Sequence, residues 1–190
     1  MPFVKILDSY SNLSVACQSE LRKRVKRVVC HKNSILLTTG EINQHLFMVE
    51  TGLLRIFHYG NDDNENREIT SWFVQNGDLA FSAPSFFKQK PSDEFIEVLE
   101  HTVLYKLSYF DLYELYDKFA ELNWIARTIM ESFIQKQQFR IRLLTHKNVL
   151  KRYKYFLDEN PTIGVRVSLK MIATCLDVEY HHLSRIRKDL

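Results

Sequence analysis

The sequence predicts an α+β protein with its strands first and its helices last. Three observations predict it. Short runs rich in Val, Ile, Phe and Tyr alternate with turn residues between Val28 and Leu107, as strands do. Ala120–Thr145 then runs without Pro or Gly, as one long helix would. Finally, Val167–Leu190 reads as two short apolar periodicities separated by Asp177, the layout of a helix-turn-helix.

Composition sets the outer bounds. The 190 residues are 45% hydrophobic and 13% aromatic, ample for a packed core and unlike a disordered chain. Net charge is only +3, but it is unevenly placed. From His146 to Leu190 there are nine Lys/Arg against five Asp/Glu, whereas the rest holds 17 basic and 18 acidic residues. A phosphate-facing surface needs such a local excess; a merely solvated basic face is the plainer alternative. Cys17, Cys30 and Cys175 are scattered and form no close-set metal or redox pair, which suggests reduced thiols. No signal-peptide core stands at the N-terminus, and no apolar run approaches the roughly 18 residues of a spanning helix. A soluble, cytoplasmic protein without a membrane partner is expected.

Taken in order, Leu13–Lys26 reads as a short helix with Val15, Leu21, Val25 and Val28 roughly on one side. The basic run Arg22, Lys23, Arg24, Lys26 and Arg27 reads as its solvated face. Strands are expected over Ser34–Leu37, His45–Val49, Leu53–Tyr59, Glu68–Val74, Phe95–Leu99 and Val103–Leu107. The breaks between them are Thr39-Gly40-Glu41, Glu50-Thr51-Gly52, Gly60-Asn61-Asp62-Asp63-Asn64 and Asn76-Gly77-Asp78, where Gly and Asn supply positive backbone angles. Many short strands at this spacing suggest an antiparallel barrel or roll. A short helix follows over Tyr109–Tyr116.

The long helix carries a partial apolar stripe of Leu122, Ile125, Ile129, Phe133 and Leu143, interrupted by Lys136 and Arg140. Such a stripe serves either as a dimer seam or as packing on the chain's own barrel, and a helix this long has room for both. A further helix, His146–Leu157, ends at Asp158-Glu159-Asn160-Pro161, because Pro cannot continue a helix. The predicted organisation is residues 1–118 as a strand-rich domain, 119–145 as the long helix and 146–190 as the terminal helical module.

In that module Ile172 and Leu176 lie one helical turn apart, Ala173 is small where two helices must nearly touch, and Asp177 stands at the turn. Val178 then points inward, and Leu183, Ile186 and Leu190 recur at helical spacing. Tyr180, His181, Ser184, Arg185 and Lys188 are left facing outward. In a helix-turn-helix the second helix enters the major groove, so double-stranded DNA is the expected partner. Any small helical hairpin is the bland alternative.

Several groups along the chain carry a resemblance. They are Gly40-Glu41, Leu46-Phe47-Met48-Val49, Gly52-Leu53-Leu54-Arg55, Asn76-Gly77-Asp78 and finally Leu183-Ser184-Arg185-Ile186-Arg187. In this order, and over nearly the whole chain, they resemble the Crp/Fnr family of bacterial transcription regulators. The resemblance implies an N-terminal β-roll of the cyclic-nucleotide-binding type, a long dimerisation helix and a terminal DNA-binding module. It implies a homodimer on a roughly palindromic site, with RNA polymerase as a further expected partner. Carried over, the reading helix makes Tyr180, His181 and Arg185 the base-edge readers, with Arg185 matched to the paired acceptors of guanine. His182, Lys170, Arg187 and Lys188 become the phosphate contacts. Neighbouring His181 and His182 point in different directions on a helix, which disfavours a metal pair.

The sequence departs from the family in three places. Asp177 replaces the usual turn Gly, His181 replaces a frequent acidic residue, and the C-terminal wing hairpin of many relatives is expected to be lacking after Leu190. In the sensor, Leu79–Leu99 aligns with the phosphate-binding cassette. Ser82 stands where nucleotide binders place a Glu, Ser92 where they place an Arg, and Asp93 beside it. A phosphate there would lose its cation and meet a carboxylate, so cAMP is not expected to bind and no cofactor is assigned. Lys88 and Lys90 are the nearby cations. The segment Phe81–Phe87, with Phe81, Ser82 and Ser85, is expected to line a smaller effector pocket together with Ser92 and Asp93, or no pocket at all.

Iron–sulfur sensing lacks its cysteine group, and His45, His58 and His101 show no haem-ligand pattern. The chain has no Gly-rich phosphate loop, nucleophile motif or metal-ligand spacing, so an enzyme is not expected. The leading expectation is a homodimeric, sequence-specific DNA-binding regulator. The alternative is a signalling or interaction module of the same fold that no longer reads specific DNA.

Overall fold

A computed structural model describes residues 13–60 and 67–188. The chain divides into two compact units: Met1–Ile56 with Val74–Ser132, and Phe57–Phe73 with Phe133–Leu190. This division does not follow the order of the chain, because the segment from Phe57 to Phe73 clusters with the C-terminal part.

The first unit opens with helix α1 (Val15–Arg24), capped by Ser14, whose Oγ accepts from the Cys17 amide at 3.2 Å. Val25 is extended and ends it. The basic run therefore does not form one helix face. Lys26 and Arg27 belong to strand β1 (Lys26–Cys30), and Arg27 Nε pairs with Glu50 across the sheet at 3.1 Å. Arg24 is mostly covered, with Glu20, Asp111 and Glu114 as its carboxylate partners. Sequence pattern blurred this boundary because Val25 and Val28 fit helical spacing as well as a strand.

The following strands are β2 (Ile35–Leu37), β3 (His45–Thr51), β4 (Leu54–Tyr59), β5 (Glu68–Val74), β6 (Leu79–Ala80), β7 (Phe95–Val98) and β8 (Thr102–Ser108). One sheet has the order β1-β8-β3-β6, entirely within the first unit. Its β1–β8 register runs from Lys26↔Lys106 to Cys30↔Thr102, and β3–β8 from His45↔Ser108. In the same unit β2 pairs antiparallel with β7. Two turn glycines have the positive φ their positions require, Gly52 at 122° and Gly77 at 85°. At Gly52 a side chain would also collide with Thr102.

One face of the β1-β8-β3-β6 sheet packs on helices. Met48, Tyr105 and Leu107 form a buried cluster with Cys17 and Leu21 of α1. Phe86 of α2 (Ala83–Lys88) and Leu112 and Leu115 of α3 (Tyr109–Lys118) join it, as do Leu122 and Ile125 of the long helix α4 (Ala120–Thr145).

In the second unit the end of β4 and the start of β5 are tied where Gly60 N–H donates to the Arg67 carbonyl at 2.9 Å. The helices are the C-terminal part of α4, then α5 (Val149–Glu159), α6 (Ile163–Arg166), α7 (Leu169–Cys175) and α8 (Tyr180–Lys188). Asn148 caps α5 by accepting from the Lys151 amide at 3.0 Å. Phe73 of β5 meets Phe156 of α5 edge-on, with ring centroids 6.2 Å apart. The Thr70 and Thr174 hydroxyls, both buried, lie 2.9 Å apart, and Arg140 of α4 donates to the Thr70 carbonyl at 3.3 Å.

Candidate nucleic-acid interface and sensor site

The helix-turn-helix is built from its turn outward. Ser168 caps α7 by accepting from the Met171 amide at 3.3 Å. At the far end Val178 N–H donates to the Ala173 carbonyl at 3.0 Å and Asp177 N–H to the Thr174 carbonyl at 3.3 Å. These two bonds make a Schellman motif, which needs a left-handed residue between them. Asp177 supplies it at φ 50°. Val178 is buried against the same end, and Ile172, Ala173, Leu176 and Leu183 complete the apolar seam.

A residue outside the motif holds this turn. Arg152 of α5 sends Nη1 to the Leu176 carbonyl at 2.6 Å and to the Asp177 carbonyl at 3.4 Å, while Nη2 and Nε both reach the His146 carbonyl. A guanidinium is suited to this because its fixed fork presents several donors at once. Sequence reasoning missed Arg152, which carries no local signal; only the fold brings it to the turn.

Leu183 is the buried anchor of α8. At 3.6 residues per turn, the side of the helix opposite Leu183 is centred on His181, Arg185 and Lys188, with Ser184 beside them. Tyr180 lies at the edge of that face, its ring 5.5 Å from that of His181. His182 borders that face on the other side, whereas Arg187, four residues after Leu183, lies on Leu183's own side of the helix. Tyr180, His181, His182, Arg185, Arg187, Lys188 and, on α7, Lys170 are all exposed. None of these cations has an ion-pair partner among the described residues. Ile186 is half-buried, and Leu190 lies outside the described residues.

Along α4, Leu122 and Ile125 are buried in the first unit's own core and Ile129 packs against it. Leu143 is buried as well, and Phe133 is half-buried. The large apolar side chains that α4 leaves open are Trp124, Ile134 and Ile141, with the Arg127 guanidinium carbon 4.0 Å above the Trp124 ring centre.

The cassette site lies wholly in the first unit. Ser82 precedes α2 at its N-cap position but does not cap it. Its Oγ donates instead to the Glu94 carboxylate at 2.7 Å, and its amide to Asn43 Oδ1 at 2.7 Å. Ser85 Oγ accepts from the Asn43 amide at 2.9 Å and donates to the Lys90 carbonyl at 2.6 Å. Ser92 Oγ donates to the Glu94 carbonyl at 3.1 Å and accepts from the Glu94 amide at 3.0 Å.

Phe81 is buried in edge-on contact with Phe86 and Phe87. Of the five residues named from the sequence, Phe81, Ser82, Ser85 and Ser92 are buried, but Asp93 is exposed. The carboxylate that reaches Ser82 belongs to the next residue, Glu94, because an ungapped alignment counts positions and cannot see which side the loop turns. Lys88 and Lys90 are also exposed.

The three cysteines are free and buried. Burial, then the neighbouring Glu121 carboxylate, pushes the Cys17 thiol up to about 11. Among the described residues no group of three or more His, Cys, Asp or Glu is placed to hold a metal, and no helix is long and apolar enough to cross a membrane.

Residues 27–119 match the family model described as the cyclic nucleotide-binding domain. A search of curated protein sequences finds no match. Among solved structures the chain is similar to a protein of Eubacterium rectale assigned to the Crp/Fnr family of transcriptional regulators. That match has 18% identity and a TM-score of 0.73, covering 95% of this chain and 86% of that one. It is similar to FixK2 of Bradyrhizobium japonicum at 16% identity and a TM-score of 0.72, covering 87% and 84%. It is also similar to CLP of Xanthomonas campestris, described as a c-di-GMP responsive global regulator, at 16% identity and a TM-score of 0.70, covering 93% and 91%. At these identities the likeness is one of fold.

Proposed function

We propose, on the premise that the chain has the fold of the Crp/Fnr regulators and that residues 27–119 are a domain of the cyclic nucleotide-binding family, that it is a homodimeric regulator reading specific double-stranded DNA. The observation that carries this reading is the exposed cationic face of α8, centred on His181, Arg185 and Lys188, behind a fully bonded turn. Arg185 reads base edges with Tyr180 and His181. His182, Arg187, Lys188 and Lys170 meet phosphates. Each good bidentate Arg–guanine pair supplies about 1–3 kcal/mol of discrimination, whereas phosphate contacts supply salt-dependent affinity.

A two-fold dimer suits this role, because it presents two α8 helices to half-sites a whole number of DNA turns apart. The pairing surface proposed is the open apolar side of the second unit's part of α4, at Ile134 and Ile141. The sensor does not take cAMP: at the position where a cyclic phosphate would need an Arg, Ser92 bonds the Glu94 backbone, and the Glu94 carboxylate is held by the Ser82 hydroxyl.

The test is selection from randomised duplexes without added ligand, followed by fluorescence anisotropy across a salt series for the wild type and Arg185→Ala. The expected result is a palindrome that the wild type enriches and the variant does not. Weak, sequence-blind binding unchanged by the substitution would overturn the reading in favour of an interaction module.

A further inference from the structure

We propose that Glu94 is a built-in ligand of the cassette, doing with this chain's own carboxylate what a bound effector does in a ligand-gated sensor. The inference deepens the sensor reading above and rests on it only for its consequence at DNA.

The argument starts from Ser82. At a helix N-cap a serine normally bonds the helix's own amides, which is worth about 1 kcal/mol. Here that bond is given up, and the hydroxyl donates to Glu94 instead. Such a bond to an ionised acceptor is among the stronger hydrogen bonds a protein makes. Around it the polar groups close on one another. Asn43 receives the Ser82 amide on its Oδ1, gives its own amide to Ser85 Oγ, and sends Nδ2 to the His45 carbonyl at 2.7 Å. Ser85 passes on to Lys90, and Ser92 staples the backbone on either side of Glu94. Asn43, Ser82, Ser85 and Ser92 are all buried, and no buried side-chain polar atom among the described residues lacks a partner. A buried polar network of this kind fixes one arrangement when every member is satisfied.

Glu94 itself is only half-buried, and no cation lies within ion-pair distance of it among the described residues. Its partner within the network is the Ser82 hydroxyl. The carboxylate thus stands in the cassette as an anion held by the hydroxyl of the residue that precedes the six-residue helix, in the cap position where no side-chain cap bond is made. The consequence is an ordered cassette without any effector, and a regulator whose DNA binding does not wait for one.

Hydrogen exchange on the full-length chain tests this. Glu94→Ala removes the atoms of one acetate, so sodium acetate is the probe. The expected result is that amides of Ala83–Lys88 exchange faster in Glu94→Ala, by on the order of tenfold or more, while those of β3 and β8 do not. Acetate should restore protection in the variant and leave the wild type unchanged, and Glu94→Gln, which keeps an acceptor oxygen, should stay near wild type. Unchanged exchange in Glu94→Ala would overturn the proposal, as would a uniform loss of protection that acetate does not repair. These readouts involve no DNA, so they stand or fall apart from the reading of α8.

Discussion

The Arg152 guanidinium donates to the Leu176 carbonyl at 2.6 Å, so the turn before α8 is held by a side chain 24 residues upstream. The same guanidinium reaches Asp177 and His146. Arg152→Ala would leave these carbonyls to water or to nothing. Hydrogen bonds from a charged donor are worth about 1.5–3 kcal/mol, and we expect a loss of stability in that range by calorimetry. Specific DNA affinity should fall with it while the slope against salt stays put, since Arg152 faces carbonyls rather than phosphates. An unchanged melting temperature would show that the fork contributes nothing. Arg152→Lys should recover only part of the loss, because an ammonium cannot present the same geometry.

Asp177 offers the opposite sign. At φ 50° it holds a left-handed conformation that costs an ordinary L-residue roughly 1–2 kcal/mol and Asp somewhat less. Its side chain is exposed. Asp177→Gly should therefore stabilise the second unit, by a few tenths to about 1 kcal/mol once the extra freedom of glycine in the unfolded chain is counted. A fall in the unfolding midpoint would mean that the Asp177 carboxylate does something the turn geometry does not reveal.

Much of this architecture was legible because it is written in local pattern. Glu68–Val74 and Ala120–Thr145 were read to the residue, the one from β-branched and aromatic alternation, the other from length without a breaker. The strand Lys26–Cys30 was not, because what makes it a strand is β8, whose residues lie more than seventy positions away. Helix Ala83–Lys88 was missed for a different reason: six residues with a Pro in second place give a 3.6-residue period no room to appear. The outward face of α8 could be placed from Leu183 alone. The two residues that brace the separate sites, Arg152 at the helix-turn-helix and Glu94 in the cassette, gave no sequence signal, since each acts on a partner outside its own local pattern.

His45 gives the protein an acid limb. Burial, then Lys106 and Lys26, hold its imidazole below the ordinary histidine value, and Asp111 offsets them only in part. A base with a lowered value in the folded state prefers to be neutral there. Its contribution to stability is complete above the unfolded value near 6.5 and is lost as pH falls through the lower folded value. We expect stability to decline below about pH 6.5, and His45→Gln to flatten that decline. Lys106→Gln should raise the His45 titration midpoint seen by NMR. A midpoint unmoved by that substitution would remove Lys106 as a cause.

Cys17 acts at the other end of the scale. With the folded thiol pushed up to about 11 from an ordinary 9.0, the unfolded chain ionises first as pH rises. The stability this group contributes is complete below 9.0 and is lost toward 11. At neutral pH, alkylation of Cys17 should proceed only through unfolding. Labelling of the native chain as fast as that of a free thiol would contradict its burial.

The long helix separates covered from open apolar residues by burial. Leu122 and Ile125 are 4% and 2% exposed, whereas Trp124, Ile134 and Ile141 are 52%, 54% and 61% exposed. Ile134 and Ile141 are seven residues apart, two turns of the 3.5-residue coiled-coil repeat. A residue already covered by its own unit has little surface left to offer a partner, so substitutions at the two sets should fail differently. Leu122→Ala should cost about 2–5 kcal/mol of stability through the cavity it leaves. Ile134→Glu with Ile141→Glu should leave the chain folded but shift it to monomer in sedimentation velocity, and should abolish preference for a palindrome over a single half-site. If the double variant sediments as the wild type does, the seam lies elsewhere, whatever the exposed face of this helix suggests.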